Sequence, residues 1–375
     1  MHLRDYFPKL KKEYQNYFFS GIAFDSSKVK RNFIFFAIKG SKKDGHNFIG
    51  NAIKRGAKII IHEKKFTGIK NKILFLSSKN IRKLLAETSF RINNKIPKNL
   101  VAVTGTNGKS SISDFYFQIL KLNKKKVASI GTLGIKTNNS FKSLQNTTID
   151  LLKLSHIFKN LKRKKIENVV MEASSHGLKQ HRLDGLFFDI GIFSNLSHDH
   201  LDYHKNFKNY LNAKLYLFKK LLSKNSNIIT DIAIPEYKKI KKISLKKKLN
   251  LKTIGFEKGD LSIVNHEYIN EKQIIKIKYK NNFFIIKTNL IGKIQIKNLL
   301  MAMIAAEKSN IGFKNIVKII NKVKPVNGRL EKIGKIRNNS KVILDYAHTP
   351  DALKTCLQNL KDQFKNNKIS IVFGC

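Results

Sequence analysis

The sequence contains few cysteines, few acidic residues and no long apolar run, and each of these absences excludes a class of protein. Its two cysteines, Cys356 and Cys375, exclude a disulfide framework and are typical of a cytosolic protein. No run of about 18 apolar residues occurs, so we expect no membrane-spanning helix and no membrane partner. Residues 1–6 lack the apolar stretch of a signal peptide. These absences together predict a cytoplasmic location.

Acidic residues are scarce beside basic ones: 25 Asp and Glu stand against 74 Lys and Arg, a formal net charge of +49. Such a charge can indicate a nucleic-acid partner. Here the lysines are spread along the whole chain, and Lys, Asn and Ile, which have A/T-rich codons, are over-used together. Genome composition therefore explains the charge, and we expect no nucleic-acid partner. The charge still favours anionic substrates by long-range attraction.

At 375 residues the chain is too long for one ordinary domain, and its pattern divides it into three segments. The first segment, residues 1–97, contains strand-like runs at 33–38 and 58–61. A helix is predicted over 81–92, and the Ile-Pro pair that ends at residue 97 marks a boundary.

The second segment, residues 98–325, alternates short apolar runs with helical stretches, which predicts a parallel sheet covered by helices. The predicted strands of this sheet are 100–103, 127–130, 168–171 and 188–193, and residues 225–290 are richer in strands. The predicted helices are one that ends near residue 123 and those at 210–220, 296–309 and 315–323.

The third segment, residues 326–375, is predicted to hold strand 341–344, helix 351–360 and strand 369–373. A single βαβ unit cannot bury its own faces. We therefore expect this last domain to be incomplete and poorly packed, with protease cleavage between residues 324 and 337.

The strongest local motif is the run 104–111, Thr-Gly-Thr-Asn-Gly-Lys-Ser-Ser, which follows a predicted strand and opens a predicted helix. That context places backbone N–H groups and a helix N-terminus around an anion. Lys109 can neutralise the β- and γ-phosphates of a nucleotide, and the Ser110 hydroxyl can coordinate Mg²⁺. Val103 stands where the usual P-loop has its first glycine, so the loop is a shorter variant. A turn that binds nothing is the alternative.

Two further polar clusters follow strands of the same predicted sheet, where open parallel sheets place their ligands. Glu172 is placed to hold a metal ion, with a solvated loop residue as the alternative, and residues 180–182 add donors for a phosphate or carboxylate. The run 195–204 contains three His and two Asp within seven residues. This density suggests Mg²⁺ or phosphate chemistry and does not match zinc spacing, whereas a polar loop is the alternative.

The last candidates lie on a helix and near the C-terminus. Lys214, taken alone, is an ordinary lysine of the predicted helix 210–220. Arg329 could reach across a domain boundary to a phosphate, or it could form an interdomain salt bridge. Asp351 begins a predicted helix, as a first-turn acid or cap.

The order of these motifs resembles that of the Mur ligases. The matching runs are Thr-Gly-Thr-Asn-Gly-Lys-Ser at 104–110, Asn-Thr-Thr at 146–148, Met-Glu-Ala-Ser-Ser-His-Gly-Leu at 171–178, Asn-Leu-Ser-x-Asp-His-Leu-Asp-Tyr-His at 195–204, Gly-Arg-Leu-Glu at 328–331 and Asp-Tyr-Ala-His-Thr-Pro-Asp at 345–351. The resemblance covers nearly all of the chain and is greatest to the members that make the muramyl tripeptide. Ser27, His198 and Lys205 depart from the family pattern.

The resemblance implies an α/β fold of three domains: an N-terminal domain that binds a UDP-precursor, a P-loop-like central domain with a parallel sheet, and an incomplete Rossmann-like C-terminal domain. It implies a monomeric, ATP- and Mg²⁺-dependent ligase of peptidoglycan synthesis. Such an enzyme joins the D-Glu carboxylate of UDP-N-acetylmuramoyl-L-alanyl-D-glutamate to a diamino acid, meso-diaminopimelate or L-lysine, through an acyl phosphate. Another ligase of the superfamily, such as folylpolyglutamate synthetase, is the alternative, and a basic nucleic-acid-binding protein is a more remote one.

The resemblance also implies a role for individual residues. The implied ATP-binding residues are Gly105, Thr106, Asn107, Gly108, Lys109, Ser110, Ser111, Arg329 and Asp345. The implied contacts of the UDP-muramyl dipeptide are Phe24, Ser26, Ser41, Lys42, Lys43, Asn146, Thr147, Thr148, Ser174, Gln180 and Arg182. The implied catalytic residues are Lys109, Glu172, His200 and Lys214, and the implied Mg²⁺ ligands are Ser110, Glu172, His200 and Lys214.

Lys214 matches the family lysine that becomes carbamylated (N6-carboxylysine), which converts a cation into an anion. The later Gly-Gly-Asp-Arg and Asp-Asn-Pro-Arg-type motifs of the family do not occur before Cys375. We therefore expect this chain to bind ATP or the UDP-precursor with little ligase turnover.

Overall fold

The computed structural model describes residues 1–40, 43–143 and 149–374. The described residues form two compact units. The N-terminal unit comprises Met1–Ile96, Asp150–Lys159 and Gln180–Leu186, and the larger unit lies within Pro97–Ile149, Asn160–Lys179 and Phe187–Cys375. The predicted boundaries after residues 97 and 325 stay predictions. None of the helices in the described ranges is long and apolar enough to span a membrane.

The strands and helices are numbered in chain order. The strands are β1 (Gly21–Ala23), β2 (Phe33–Phe36), β3 (Ala57–His62), β4 (Gly68–Lys70), β5 (Ile73–Ser77), β6 (Asn99–Thr104), β7 (Val127–Gly131), β8 (Gly134–Thr137), β9 (Phe141–Lys142), β10 (Asn168–Glu172), β11 (Phe188–Phe193), β12 (Leu222–Asp231), β13 (Asn250–Phe256), β14 (Leu261–Ile269), β15 (Lys272–Tyr279), β16 (Asn282–Thr288), β17 (Glu331–Lys335) and β18 (Lys341–Leu344). The helices are α1 (Ile49–Lys54), α2 (Ile81–Ile92), α3 (Lys109–Leu122), α4 (Leu151–Arg163), α5 (Ser175–Lys179), α6 (Leu201–His204), α7 (Phe207–Tyr216), α8 (Tyr237–Lys247), α9 (Lys293–Lys308), α10 (Phe313–Ile319) and α11 (Pro350–Gln363).

The N-terminal unit is built on a sheet with the strand order β1-β2-β3-β5-β4, in which β4 is antiparallel to β5 and the other pairs are parallel. β2 and β3 are apolar on both faces, as expected for a covered parallel sheet. α2 begins where the Asn80 side chain accepts a hydrogen bond from Lys83 N at 3.0 Å, and it buries Leu85 and Phe90. The predicted strands and the helix over 81–92 are confirmed.

The larger unit contains, among the described residues, a sheet with the order β16-β15-β14-β13-β12-β11-β6-β10-β7-β8-β9. The strands from β14 to β7 in this order are parallel, and antiparallel hairpins extend both ends. α3 and α9 pack on each other, and the core includes Val101, Phe115 and Leu299, all fully buried. Truncating a residue such as Phe115 to alanine typically costs about 3–5 kcal/mol. The predicted helix-covered parallel sheet is confirmed.

The parallel strands align the carboxyl ends of β6, β10 and β11 at one edge of the sheet. The loops that follow these strands carry the three polar motifs singled out in the sequence. In open parallel sheets, ligands bind at this edge. The predicted helix 210–220 is α-helical only to Tyr216 and continues as a π-helical turn over Leu217–Leu221.

The C-terminal part of the larger unit differs from the expected βαβ unit. β18 and α11 form as predicted, and Thr349 caps α11 by accepting a hydrogen bond from Ala352 N at 3.3 Å. The predicted strand 369–373 is wrong: the described residues that follow α11 form no strand, and Val372 is 99% exposed. Extended backbone needs a neighbouring strand to pair with. β18 instead pairs antiparallel with β17, which the sequence did not predict.

Candidate active site

The loop between β6 and α3 can be formed only with glycine at two positions. Gly105 has φ +146° and Gly108 has φ +86°, conformations that favour glycine. A Cβ at Gly105 would overlap Ser194 Oγ, and a Cβ at Gly108 would lie 2.6 Å from Asn298 Oδ1. The two glycines therefore let the loop lie directly against α9 and against the residues that follow β11. The N-terminus of α3 begins at this loop, and a helix N-terminus suits an anion.

Polar groups at the end of β11 hold the loop in place. Thr106 N donates to Asn195 O and Asn107 N to Asn195 Oδ1, both at 2.9 Å. Ser194 Oγ donates to Asn107 O at 2.5 Å. The loop is thus rigidly positioned before any ligand binds, as efficient phosphate binding requires.

Lys109 is the first residue of α3, and its side chain folds back over the loop. Its Nζ donates to Gly105 O at 3.0 Å and to Thr106 O at 2.7 Å. Burial lowers the pKa of Lys109, and the nearby Arg329 charge lowers it further, whereas Glu172 raises it. The ammonium group is thus held over the glycine loop, where its charge suits an anionic ligand.

Lys214 is not an ordinary surface lysine of its helix. It is 1% exposed, and its Nζ donates to Gly105 O at 2.7 Å while lying 4.3 Å from the centre of the Tyr210 ring. Tyr210 in turn bonds Thr106 Oγ1 through its hydroxyl at 3.1 Å. Burial, and then the charge of Lys109, put the pKa of Lys214 well below its ordinary value. A lowered pKa favours the amine form of a lysine, and the amine is the form that reacts as a nucleophile.

Glu172 lies at the end of β10, as predicted. Its two oxygens accept hydrogen bonds from Thr132, from N at 2.9 Å and from Oγ1 at 3.0 Å. These bonds orient the carboxylate and leave further lone pairs free, since a carboxylate accepts about four bonds. The group therefore suits a hard cation such as Mg²⁺.

The histidine cluster is packed ring against ring. His176 lies 4.8 Å from His200 and 5.5 Å from His204, measured between ring centres. His204 is buried, and burial followed by neighbouring positive charges lowers its pKa to about 4. Within the described ranges, no group of three or more His, Cys, Asp or Glu side chains is arranged to hold a metal ion. The set Ser110, Glu172, His200 and Lys214 stays a prediction.

Two functional candidates on α9 were missed in the sequence. Gln295 and Asn298 of α9 are both buried beside apolar residues of the same helix. Asn298 Nδ2 donates to Gln295 Oε1 at 3.2 Å, and Gln295 Nε2 donates to Arg329 O at 3.1 Å. Since buried amides must be hydrogen-bonded, two of them three residues apart in an apolar helix were a signal that could have been used.

Arg329 and Asp345 lie in the C-terminal part of the same unit. The Arg329 guanidinium lies 4.7 Å from the Tyr346 ring centre, and Asp345 Oδ2 accepts a hydrogen bond from Leu330 N at 2.8 Å. Burial raises the pKa of Asp345. Because the Arg329 charge is felt by Lys109, these residues and the glycine loop belong to one electrostatic environment.

The predicted substrate residues are divided between the units. Phe24, Ser26 and Lys43 lie in the N-terminal unit, as do Gln180 and Arg182. Gln180 Oε1 accepts from Arg182 Nη2 at 2.6 Å. In the larger unit, Ser174 Oγ accepts from Gly177 N at 3.0 Å. The remaining predicted contacts, Ser41, Lys42, Asn146, Thr147 and Thr148, lie outside the described residues.

Three family models match the chain. The Mur ligase middle domain matches residues 103–306, the Mur ligase family catalytic domain residues 19–89, and the Mur ligase glutamate ligase domain residues 328–375. Together they cover most of the sequence.

Individual relatives agree with these models. A UDP-N-acetylmuramoyl-L-alanyl-D-glutamate–2,6-diaminopimelate ligase of Rickettsia conorii is 38% identical over 371 residues, which is 98% of this chain and 76% of the relative. A solved structure of a ligase with the same name is 27% identical with a TM-score of 0.83, over 96% of this chain and 74% of that one. A MurF ligase from Thermotoga maritima in complex with ADP, 20% identical with a TM-score of 0.60 over 90% and 74%, shares the fold.

Proposed function

The chain belongs to the Mur ligase family, and from this premise we propose that it is the ADP-forming ligase of peptidoglycan synthesis that adds 2,6-diaminopimelate. Its second substrate is UDP-N-acetylmuramoyl-L-alanyl-D-glutamate, as in the name of the Rickettsia relative. The reaction forms an amide between the D-Glu carboxylate and an amino group of the diamino acid. L-Lysine is the other diamino acid that the sequence left open.

One observation carries the proposal: two lysines converge on a single carbonyl oxygen. Lys109 Nζ and Lys214 Nζ donate to Gly105 O at 3.0 and 2.7 Å. Burial lowers the pKa of both lysines, and the charge of Lys109 lowers the pKa of Lys214 further. A polyphosphate beside Lys109 would neutralise the first charge, and carbamylation of Lys214 would remove the second. The pair therefore fits both ATP and the predicted modification.

Residues from two parts of the larger unit form the proposed ATP site. Bound ATP supplies the phosphoryl group that makes the D-Glu carboxylate reactive towards an amine. Lys109 and the N-terminus of α3 hold its phosphates and stabilise the negative charge that develops during transfer. Arg329 and Asp345 complete the proposed ATP site from the C-terminal part.

Mg²⁺ is the proposed metal, and the residues fit it by their chemistry. The residues that would hold it are Ser110, Glu172, His200 and the carbamate of Lys214. Thr132 holds the Glu172 carboxylate in position through two hydrogen bonds, as outer-sphere partners of metal ligands do. A bound cation neutralises phosphate charge that Lys109 alone cannot.

The UDP-precursor is assigned to the residues with the matching family positions. These are Phe24, Ser26, Ser41, Lys42, Lys43, Asn146, Thr147, Thr148, Ser174, Gln180 and Arg182. The cytoplasmic location and the monomeric state stay predictions.

The proposal is tested with purified protein, ATP, Mg²⁺ and UDP-N-acetylmuramoyl-L-alanyl-D-glutamate. ADP release and product mass are measured with diaminopimelate, with L-lysine, and with a folate plus glutamate in place of both substrates. Turnover should be low, as the sequence predicts, and product should form only with the UDP-precursor and diaminopimelate. Turnover of the folate, or absence of binding of both ATP and the UDP-precursor, would overturn the proposal.

A separate experiment tests the carbamate. Lys214→Ala should release almost no ADP, and small carboxylates added to the assay should partly restore turnover by occupying the vacated anionic position. Lys208→Ala, which removes an exposed lysine from the same helix, should leave ADP release unchanged. If carboxylates have no effect on Lys214→Ala, the lysine acts in another way.

A further inference from the structure

The N-terminus of α9 is capped by side chains from a distant part of the chain. A helix leaves its first N–H groups without partners inside the helix. The residue before α9 is Gly292, which has no side chain to cap them. Gln363 Oε1 accepts a hydrogen bond from Gly292 N at 2.7 Å, and Asn359 Oδ1 accepts one from Ile294 N at 3.1 Å. Both caps come from α11.

Each capping amide uses its oxygen atom to accept from α9 or Gly292 and its NH₂ group to donate elsewhere. Asn359 and Gln363 lie one turn apart on α11, and each is 8% exposed. Their NH₂ groups donate elsewhere: Asn359 Nδ2 to Thr355 O at 2.7 Å, and Gln363 Nε2 to Glu271 O at 2.9 Å. Since backbone N–H groups can only donate, the oxygens must face α9. Each amide is therefore hydrogen-bonded through both its oxygen and its nitrogen atom. These bonds fix the position of α11 relative to α9.

Gly292 permits this close approach. It has φ +81°, and a Cβ there would lie 2.6 Å from Asn359 Oδ1 and 2.7 Å from Asn359 Cβ. Any side chain at residue 292 would push α11 away from α9.

The first two turns of α9 also contact Arg329 and the glycine loop. Gln295, next along the helix, donates to Arg329 O, and Asn298 is in contact with Gly108. The position of α11 is thus linked through the start of α9 to Arg329 on one side and to the phosphate loop on the other.

We propose that Asn359 and Gln363 are positioning residues for ATP: by capping α9 from α11 they fix Arg329 relative to the loop that carries Lys109. The inference rests on the proposed function only in naming ATP as the nucleotide. Asn359 and Gln363 thereby receive a role although they belong neither to the glycine loop nor to the predicted Mg²⁺-binding residues.

The test compares the dissociation constants of Mg·ATP and of the UDP-precursor in matched variants. Asn359→Leu and Gln363→Leu should each weaken ATP binding on the order of tenfold, because each leaves a buried backbone N–H unpaired near the site. UDP-precursor binding should change less than twofold. Gln358→Leu alters an exposed amide on the same helix and should change neither constant.

A second pair of measurements distinguishes positioning from general loss of structure. Asn359→Asp keeps the acceptor for Ile294 N at the helix N-terminus, where a carboxylate is favoured, and loses the donor to Thr355 O. It should therefore bind ATP more tightly than Asn359→Leu. Amide exchange in Asn359→Leu should rise at residues 292–298 and not in β3. Equal weakening of both ligands, or wild-type ATP binding by both leucine variants, would overturn the inference. If the wild type binds the UDP-precursor and not ATP, the assignment of the nucleotide fails instead.

Discussion

At the scale of single residues, the site is governed by buried positive charge. Lys109 and Lys214 are both held against Gly105 O, and the pKa of each is lowered by burial. Burial of a positive charge without an anion is unfavourable, and a bound anion would offset this electrostatic cost. We therefore expect the charges at these two positions to affect ligand binding more than those of exposed lysines.

Replacement of Lys109 tests this account directly. Lys109→Ala should abolish ADP release and weaken ATP binding by at least about a hundredfold, because the charge at the phosphates is lost. Circular dichroism should show an unchanged fold. Lys121→Ala removes an exposed lysine at the other end of α3 and should retain wild-type activity. Near wild-type ADP release by Lys109→Ala would contradict the ATP assignment.

His62 offers a test of burial in the N-terminal unit. It is 3% exposed, its Nδ1 accepts from Lys64 N at 3.1 Å, and its pKa is lowered by burial and then by nearby positive charge. The folded state therefore binds a proton less readily than the unfolded chain. Stability from this residue is complete above the unfolded pKa of about 6.5 and is lost as the pH falls below it.

Removal of His62 should therefore reduce the pH dependence of stability. Urea unfolding at pH 7.5 and 5.5 should show a smaller loss of free energy of unfolding in His62→Leu than in the wild type. His156→Leu, at an exposed position of α4, should lose as much as the wild type. A pH dependence identical in all three proteins would show that His62 is protonated equally in both states.

At the scale of elements, the strand-loop-helix unit formed by β6 and α3 depends on the left-handed conformation of Gly108. Gly108→Ala should cost about 1–2 kcal/mol of stability, since it strains φ and presses on Asn298. It should also weaken ATP binding more than tenfold, because the loop must shift. Gly50→Ala is the control, since it lies in α1 with open space around it and should stabilise by about 0.5–1 kcal/mol. Equal effects of the two substitutions, measured by urea unfolding and ATP titration, would refute the conformational argument.

At the scale of the whole molecule, the formal charge of +49 dominates. Self-repulsion opposes the compact state, and salt screens it over about 10 Å at 0.1 M. The thermal midpoint should therefore rise by several degrees between about 20 mM and 300 mM NaCl. A matched series with sucrose at equal osmolality separates screening from solute exclusion. A midpoint that is flat or falls with NaCl alone would mean that the lysines are too dispersed to destabilise the fold.

The sequence alone determined the elements whose signal is local. The helix over 81–92 and the strands 188–193 and 341–344 match the structure at both ends, because apolar period, caps and breakers lie inside each segment. The glycine loop was identified in the same way. The order of motifs was sufficient to place the chain in its family, although their individual roles stay predictions.

Only the tertiary structure decided what depends on distant partners. No strand forms over 369–373, because no strand among the described residues pairs with this segment, and β18 pairs with β17 instead. The burial of Lys214 could not be predicted from a helical segment rich in lysine, since it depends on contacts with Gly105 and Tyr210. The contacts of Gln295, and the capping of α9 by Asn359 and Gln363, likewise depend on how α9 packs against distant parts of the chain. Local patterns specify an element, whereas burial and pairing are properties of contacts between elements far apart in the chain.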